Sequence, residues 1–192
     1  PPGQVGGVNR PLVDRLRRYQ PGDAAEAADV ARTIEFAADG VDPWDRSLPL
    51  HVTASALIVH PPSQRVLLRW HERQQGWLQV GGHGDPGERD PLEVALREGG
   101  EETGINDLRP WPTDDLRHVV IVPVPPGKGE PAHHHADVRF LLATDHPERA
   151  TPEKPTALLR WESVDAALEL VGTDNVATLI RRAATLLRTA NA

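Results

Sequence analysis

A chain of 192 residues, 39% hydrophobic and 26% charged, is long enough for one domain with an extension and too apolar to stay disordered. A formal net charge of −7 argues against a polyanion-binding surface, so no nucleic acid polymer is expected as a partner. Zero cysteines exclude disulfides, zinc–thiolate centres and thiol nucleophiles, and fit a cytoplasmic protein.

No stretch approaches the length of a membrane span and no cleavable signal pattern opens the chain, so no membrane partner is expected. The chain contains no Met, and a start downstream of a native terminus is the expectation. Residues 1–9 read as a flexible lead-in. Leu12, Val13, Leu16 and Tyr19 then recur at helical spacing up to Pro21-Gly22. A second helix runs from about Asp23 to Asp39, with Ala27, Val30, Ile34 and Ala37 on one side, and stops at Gly40. The expected organisation is an N-terminal helical extension over 1–47, packed on the main domain or on a second copy in a homodimer, and a main domain over 48–192.

In the main domain, residues 51–59 and 64–70 read as two strands about a Pro61-Pro62-Ser63 turn, and 76–80 as a short strand entering a glycine-rich loop, Gly81 to Glu88. Asp90-Pro91-Leu92-Glu93 reads as a helix start: Asp90 as N-cap, Pro91 at the first helical position, Glu93 closing a capping box. Strands follow over 117–124, 132–143 and 157–162, separated by a mobile-looking loop at 127–131; helices close the chain at 165–170 and 174–189. Interleaved strands and helices of this kind imply a mixed sheet flanked by helices, an α/β arrangement.

The chemistry gathers at Arg97-Glu98-Gly99-Gly100-Glu101-Glu102-Thr103-Gly104-Ile105. Glu98, Glu101 and Glu102 stand at i, i+3 and i+4, so on a helix their side chains project from one face and are expected to converge. Three such carboxylates repel one another unless a cation sits among them. A hard divalent ion, Mg²⁺ or Mn²⁺, is the expected occupant. Gly99 and Gly100 each cost roughly 1 kcal/mol against Ala inside a helix; they serve either close packing or a looser helix.

This stretch resembles the signature box of the Nudix hydrolase family, which runs Gly, five residues, Glu, seven residues, then Arg-Glu-apolar-x-Glu-Glu-x-Gly-apolar. Gly82 and Glu88 keep the five-residue gap; eight residues separate Glu88 from Arg97, and Gly99 stands at an apolar position. The extra residue is placed before Asp90, which leaves the helix register intact. The resemblance implies an α/β/α sandwich and a metal-dependent hydrolase that cleaves a phosphoanhydride in a nucleoside diphosphate linked to another moiety. It implies Glu98, Glu101 and Glu102 as metal ligands, one of them, with Glu98 first in line, as general base, the Gly81 carbonyl as a further ligand, and Glu88 with Arg97 as an orienting ion pair. Two rivals are an isopentenyl diphosphate isomerase, which in its family needs a cysteine this chain lacks, and a nucleotide sensor, in which a degraded box is usual while here every acidic position is filled. No substrate is named. Val119 and Val120 stand where ADP-ribose hydrolases carry proline, and the tyrosine of dinucleoside polyphosphate hydrolases and the marker strings of NADH and coenzyme A hydrolases are missing.

His133 to Phe140 form a second cluster. On a strand His135, Asp137 and Arg139 share one face, where Asp137 could hold a metal or water and Arg139 or His135 a phosphate; the competing reading is a half-exposed strand with an Asp–Arg pair. The run of three His is by itself no zinc motif, since neighbours on a strand point to opposite faces. Arg69, His71 and Arg73 are candidates for neutralising a pyrophosphate, His83 for contacting substrate, and Trp70 and Trp77 for packing more than for stacking on a base.

Overall fold

The computed structural model describes residues 9–127, 129–172 and 174–190; the expected lead-in over 1–8 and Lys128 of the 127–131 loop lie outside the described residues. Two helices open it, α1 (Arg10–Arg18) and α2 (Ala24–Ala38). Strands β1 (Leu50–His60), β2 (Arg65–His71), β3 (Gly76–Leu78) and β4 (Val80–His83) lead into α3 (Pro91–Thr103). Then come β5 (Arg109–Pro110), β6 (His118–Val124), β7 (His133–Ala143), β8 (Leu159–Ser163), α4 (Val164–Leu170) and α5 (Asp174–Ala190).

The eight strands make one mixed sheet. Its centre is the parallel pair β1–β7, in register from Leu50 opposite His134 to Val59 opposite Ala143. The other pairings, β1 with β2 and β4, β2 with β3 and β8, and β7 with β5 and β6, are antiparallel. β1 is buried along nearly its whole length, as a strand covered on both faces must be, and its apolar run reflects that. Val52, Ala54, Ala56 and Ile58 of β1, with Ala136, Val138, Phe140 and Leu142 of β7, pack against α1, α2 and α3. Leu57, Val59, Leu141 and Ala143 face the other way, against α4 and α5. This is the α/β/α sandwich with a mixed sheet and an N-terminal helical hairpin that the sequence leads one to expect.

The hairpin takes the first of its two expected places, and two local expectations change. The hairpin shares the core of the main domain: Leu12, Val13 and Leu16 of α1 and Val30 and Ala37 of α2 are buried in the same cluster as β1, β7 and α3. Residues 76–80 are not one strand, and the expected glycine loop begins later, because Gly81, Gly82 and His83 pair with β1 as part of β4. The Asp90 cap forms, its carboxylate accepting from the Leu92 N–H at 3.0 Å, but Glu93 does not return the capping-box bond. Arg15 of α1 takes the Asp90 carboxylate instead, Nε to Oδ1 at 3.0 Å and Nη2 to Oδ2 at 3.1 Å. No helix among the described residues is long and apolar enough to cross a membrane.

Candidate active site

The glycines of β4 exist for close approach. Gly81 has φ +142°, and a Cβ there would lie 2.4 Å from Ser55 Cα on the neighbouring strand. A Cβ on Gly82 would lie 2.8 Å from the carboxyl carbon and both oxygens of Glu98. Any side chain at Gly82 therefore displaces the Glu98 carboxylate. The Gly81 N–H donates to Glu102 Oε2 at 3.0 Å, so two glutamates of α3 are docked on two consecutive glycines of β4. Gly99 serves close packing: a Cβ there would meet Leu108 Cδ1 at 3.0 Å. At Gly100 the contact would be an ordinary 3.6 Å, so packing does not explain it.

Arg97 sits at the hub of the acidic groups. Its Nε donates to Glu88 Oε1 at 2.9 Å and its Nη2 to Glu88 Oε2 at 3.0 Å, a bidentate pair that forms despite the extra residue in the loop. Nη2 also reaches the His83 carbonyl at 2.9 Å. Nη1 bridges Glu98 Oε1 and Glu101 Oε2, both at 3.1 Å. Glu102 turns to Arg69, whose Nη2 lies 3.2 Å from its Oε1. The three carboxylates thus fan out around two arginines and do not converge at a point. Among the described residues, the side chains that do bring three potential ligand atoms within 4.8 Å are His51, His133 and His135. Glu98 and Glu101 share the Arg97 guanidinium while Arg69 draws Glu102 aside, which relieves the repulsion among the three.

Burial pushes the Glu102 carboxyl up to about 7, against the pull of Arg69 and the Gly81 N–H. Burial likewise raises Glu98, although Arg97 opposes it. Hydrogen bonds from Arg97 hold Glu88 below the usual carboxylate range. The donor set suits a hard divalent ion: it is all oxygen, it lies on one face of α3, and Glu98 abuts β4. Glu101, its side chain 57% exposed, can swing from Arg97 without breaking packing.

The remaining candidates lie in different places. Arg69 belongs to the site but is 8% exposed and engaged with Glu102 and Glu153, the latter at 3.4 Å. Arg73 binds Glu130 and the Pro125 carbonyl, and His71 Nδ1 accepts from the Gln74 N–H. Trp70 and Trp77 pack edge to face at 5.5 Å. Asp137 and Arg139 project from the opposite face of the sheet to α3 and are buried. Asp137 accepts from Thr53 Oγ1 at 3.0 Å, Ser55 Oγ at 2.5 Å and Arg139 Nε at 2.6 Å. Arg139 also donates to the Asn175 carbonyl and Oδ1 at the start of α5. None of these bonds reaches the α3 glutamates, and the pair is no half-exposed surface pair. His83 and His135 turn toward each other, ring centroids 4.9 Å apart, beside His51 and His133. Burial, then Arg46 and the neighbouring imidazoles, depresses His83 to about 4; burial, then the neighbouring imidazoles, depresses His135 to about 3.

Sequence reasoning missed His51, Thr53, Ser55, Gln79 and His118, which complete this polar face. A signal was present: 51, 53 and 55 alternate polar residues within a strand otherwise apolar. A cleft of about 370 Å³ opens beside it, lined by His51, His83 and His133 together with Arg46 and Glu130. A larger hollow of about 570 Å³ lies between α1 and α5 and includes no residue of the glycine–glutamate stretch.

Residues 49–183 match the NUDIX domain. The chain belongs to the Nudix family. A relative described as a probable DHNTP pyrophosphohydrolase of Lactococcus lactis subsp. cremoris is 32% identical over 113 residues, 59% of this chain; the chain spans 66%, about two thirds, of that relative. Among solved structures, a NUDIX family hydrolase from Clostridium perfringens aligns with TM-score 0.53 and 26% identity over 73% of this chain and 97% of its own. The E. coli dihydroneopterin triphosphate pyrophosphohydrolase gives 0.53 and 21%, over 71% of this chain and 94% of its own. A C. elegans Ap4A hydrolase gives 0.54 and 19%, over 72% and 98%. The last two likenesses are of fold. The helical hairpin lies before the matched range, although its side chains are part of the same core.

Proposed function

We propose that this Nudix protein is a metal-dependent hydrolase of a phosphoanhydride bond in a nucleoside diphosphate linked to another moiety. The observation that carries the reading is the docking of Glu98 and Glu102 on Gly82 and Gly81, a contact that only glycine permits at Gly82. Glu98, Glu101, Glu102 and the Gly81 carbonyl are the residues to hold Mg²⁺ or Mn²⁺. When bound, the ion supplies charge neutralisation on the phosphates and Lewis-acid activation of water. Glu98 is the candidate general base, because β4 pins its carboxylate while burial raises its proton affinity. Arg97 ties Glu88, the His83 carbonyl and the α3 carboxylates into one frame, so its task is orientation. Arg69 holds Glu102 in place from β2. His83 is the substrate-side candidate lining the neighbouring cleft, with His135 packed against its ring. A cytoplasmic setting, small-molecule substrates and a division into extension (1–47) and Nudix domain (48–192) belong to the same reading.

The test is hydrolysis of a panel of phosphoanhydrides with Mg²⁺ and with Mn²⁺, the new phosphomonoesters or pyrophosphate being read as phosphate through a coupled phosphatase or pyrophosphatase. The relatives recommend dihydroneopterin triphosphate and dinucleoside tetraphosphates beside nucleotide sugars and nucleoside triphosphates. Metal-dependent release is expected, and Glu102→Gln should lower it more than about tenfold at limiting Mg²⁺, since a ligand charge is lost while shape is kept. Unchanged turnover in that variant, with an unchanged melting temperature, would sink the assignment.

A further inference from the structure

We propose that His51, His83, His133 and His135 form a binding site for a Zn²⁺-class transition ion, distinct from the carboxylates of α3. This goes beyond the hydrolase reading and does not depend on it. The four side chains come from three strands: His51 from β1, His83 from β4, His133 and His135 from β7. Sheet register brings them together. His51 lies opposite His135 in the parallel β1–β7 pair, and His83 lies opposite Thr53, two residues on from His51 along the same face. His134, between the two β7 ligands, faces the other way and is exposed, so the His run contributes its outer two members.

The ring nitrogens are spaced for one ion. His51 Nε2 lies 3.1 Å from His83 Nε2, and His133 Nε2 lies 3.1 Å from His135 Nε2. Ligand nitrogens around a tetrahedral Zn²⁺, with Zn–N of about 2.0–2.1 Å, stand about 3.3 Å apart. Facing ligand atoms of His51, His133 and His135 all lie within 4.8 Å, and rotation of the half-buried His83, His133 and His135 rings about the buried His51 brings in the fourth ligand.

An independent observation concerns the outer nitrogens. His51 Nδ1 lies 3.0 Å from the Leu48 carbonyl, and His133 Nδ1 lies 2.9 Å from the Pro131 carbonyl. A carbonyl oxygen only accepts, so each Nδ1 carries the proton and each Nε2 presents a lone pair to the centre. That is the outer-shell arrangement by which proteins orient metal-binding imidazoles. His51 is 1% exposed and cannot be accounted for as a solvated side chain. Imidazole donors select Zn²⁺ and similar ions over Mg²⁺, which needs oxygen, so the two sites sort ions by ligand chemistry. The ion would bind the end of β4 to β1 and β7. His83 also offers its carbonyl to Arg97 at 2.9 Å, so the same residue links this cluster to the acidic frame.

The experiment titrates the chelator-stripped 192-residue chain with Zn²⁺ in the presence of excess Mg²⁺, which occupies oxygen sites. Expected are one Zn²⁺ per chain, a raised melting temperature, and a strong visible absorption band when Co²⁺ replaces Zn²⁺, as tetrahedral nitrogen ligands give. His133→Ala, a change at a half-exposed strand end, should weaken Zn²⁺ binding at least about tenfold, and Glu101→Gln should leave it within about twofold. His133→Gln, which keeps the bulk, serves if His133→Ala fails to fold by circular dichroism, and should show the same loss. Absence of Mg²⁺-resistant Zn²⁺ binding would leave only a hydrogen-bonded imidazole cluster and overturn the proposal. So would a loss smaller than tenfold in the His133 variant, or Zn²⁺ binding that disappears with Glu101.

Discussion

Asp137 takes hydrogen bonds from Thr53, Ser55, Gln79 and Arg139 in a buried position, and Arg139 Nη1 reaches both Asn175 at the start of α5 and His118 Nδ1. A residue so committed joins β1, β7 and α5; a substrate phosphate would have to break that network to use Arg139. Asp137→Asn puts an amide N–H₂ where four donors converge and leaves Arg139 an uncompensated buried charge. The expected cost is roughly 3–5 kcal/mol, a fall in melting temperature of roughly 10 °C for a domain of this size. Thermal unfolding of the variant checks this, and kcat measured well below the transition should stay within about threefold of the unmodified chain. A large drop in kcat at unchanged melting temperature would return Asp137 to the reacting centre.

At the scale of elements, α2 solves a problem that β6 creates. Among the described residues β6 pairs only with β7, so its outward N–H groups need partners. Glu26 Oε1 accepts from the Val119 N–H at 3.0 Å and Asp29 Oδ2 from the Ile121 N–H at 2.9 Å. One helical turn on α2 thus matches two residues on the strand. Arg182 of α5 closes the other side, Nη2 to Glu26 Oε2 at 2.7 Å and Nη1 to the Arg117 carbonyl at 2.7 Å, with the Tyr19 hydroxyl also donating to Glu26. Burial alone would push the Glu26 carboxyl up, but Arg182, Tyr19 and the backbone N–H groups of Gly22 and Val119 outweigh it and hold it at about 2. A depressed carboxyl contributes stability that is whole above its unfolded value near 4.5 and is lost as pH falls toward 2. The total is on the order of 3 kcal/mol, about 2 kcal/mol of it gone by pH 3. Urea unfolding at pH 6 and pH 3 measures it: the acid loss should be smaller by about 2 kcal/mol in Glu26→Gln than in the unmodified chain. Equal losses in the two would mean that Glu26 does not carry the effect.

For the whole molecule the expectation from this shared core is that the hairpin cannot be removed without loss of the fold. Leu12, Val13 and Leu16 alone bury three aliphatic side chains against the sheet, worth roughly 5 kcal/mol or more, comparable with the entire net stability of an ordinary domain. A chain beginning near Leu48 would also expose the β6 edge and strip Arg15 from Asp90 and Arg182 from Glu26. It is expected to lose cooperative unfolding and to aggregate through β6; near-ultraviolet circular dichroism with a urea titration reads this. A sharp transition at the midpoint of the full chain would make the hairpin a separate appendage after all.

The sequence by itself determined what depends on neighbours in the chain. Helical spacing and the Asp90-Pro91 start placed α3, the ordered acidic string placed Arg97, Glu98, Glu101 and Glu102 on it, and the Glu88–Arg97 pair was implied by the family resemblance. Alternation likewise put His135, Asp137 and Arg139 on one face of β7. What that face meets is set by partners far along the chain, and only the tertiary structure decided it. Ser55 and Thr53 lie 82 and 84 positions from Asp137, and their hydroxyls are brought to it by the β1–β7 register. The His run reads as no metal motif because its members alternate in direction; two of them meet His51 and His83 only when β1 and β4 lie alongside. The same holds for the spread of the carboxylates, since Arg69 on β2 and Gly81 on β4 draw Glu102 away from Glu98. Local pattern fixes which way a side chain points. Charge and hydrogen bonding across the sheet fix what it finds there.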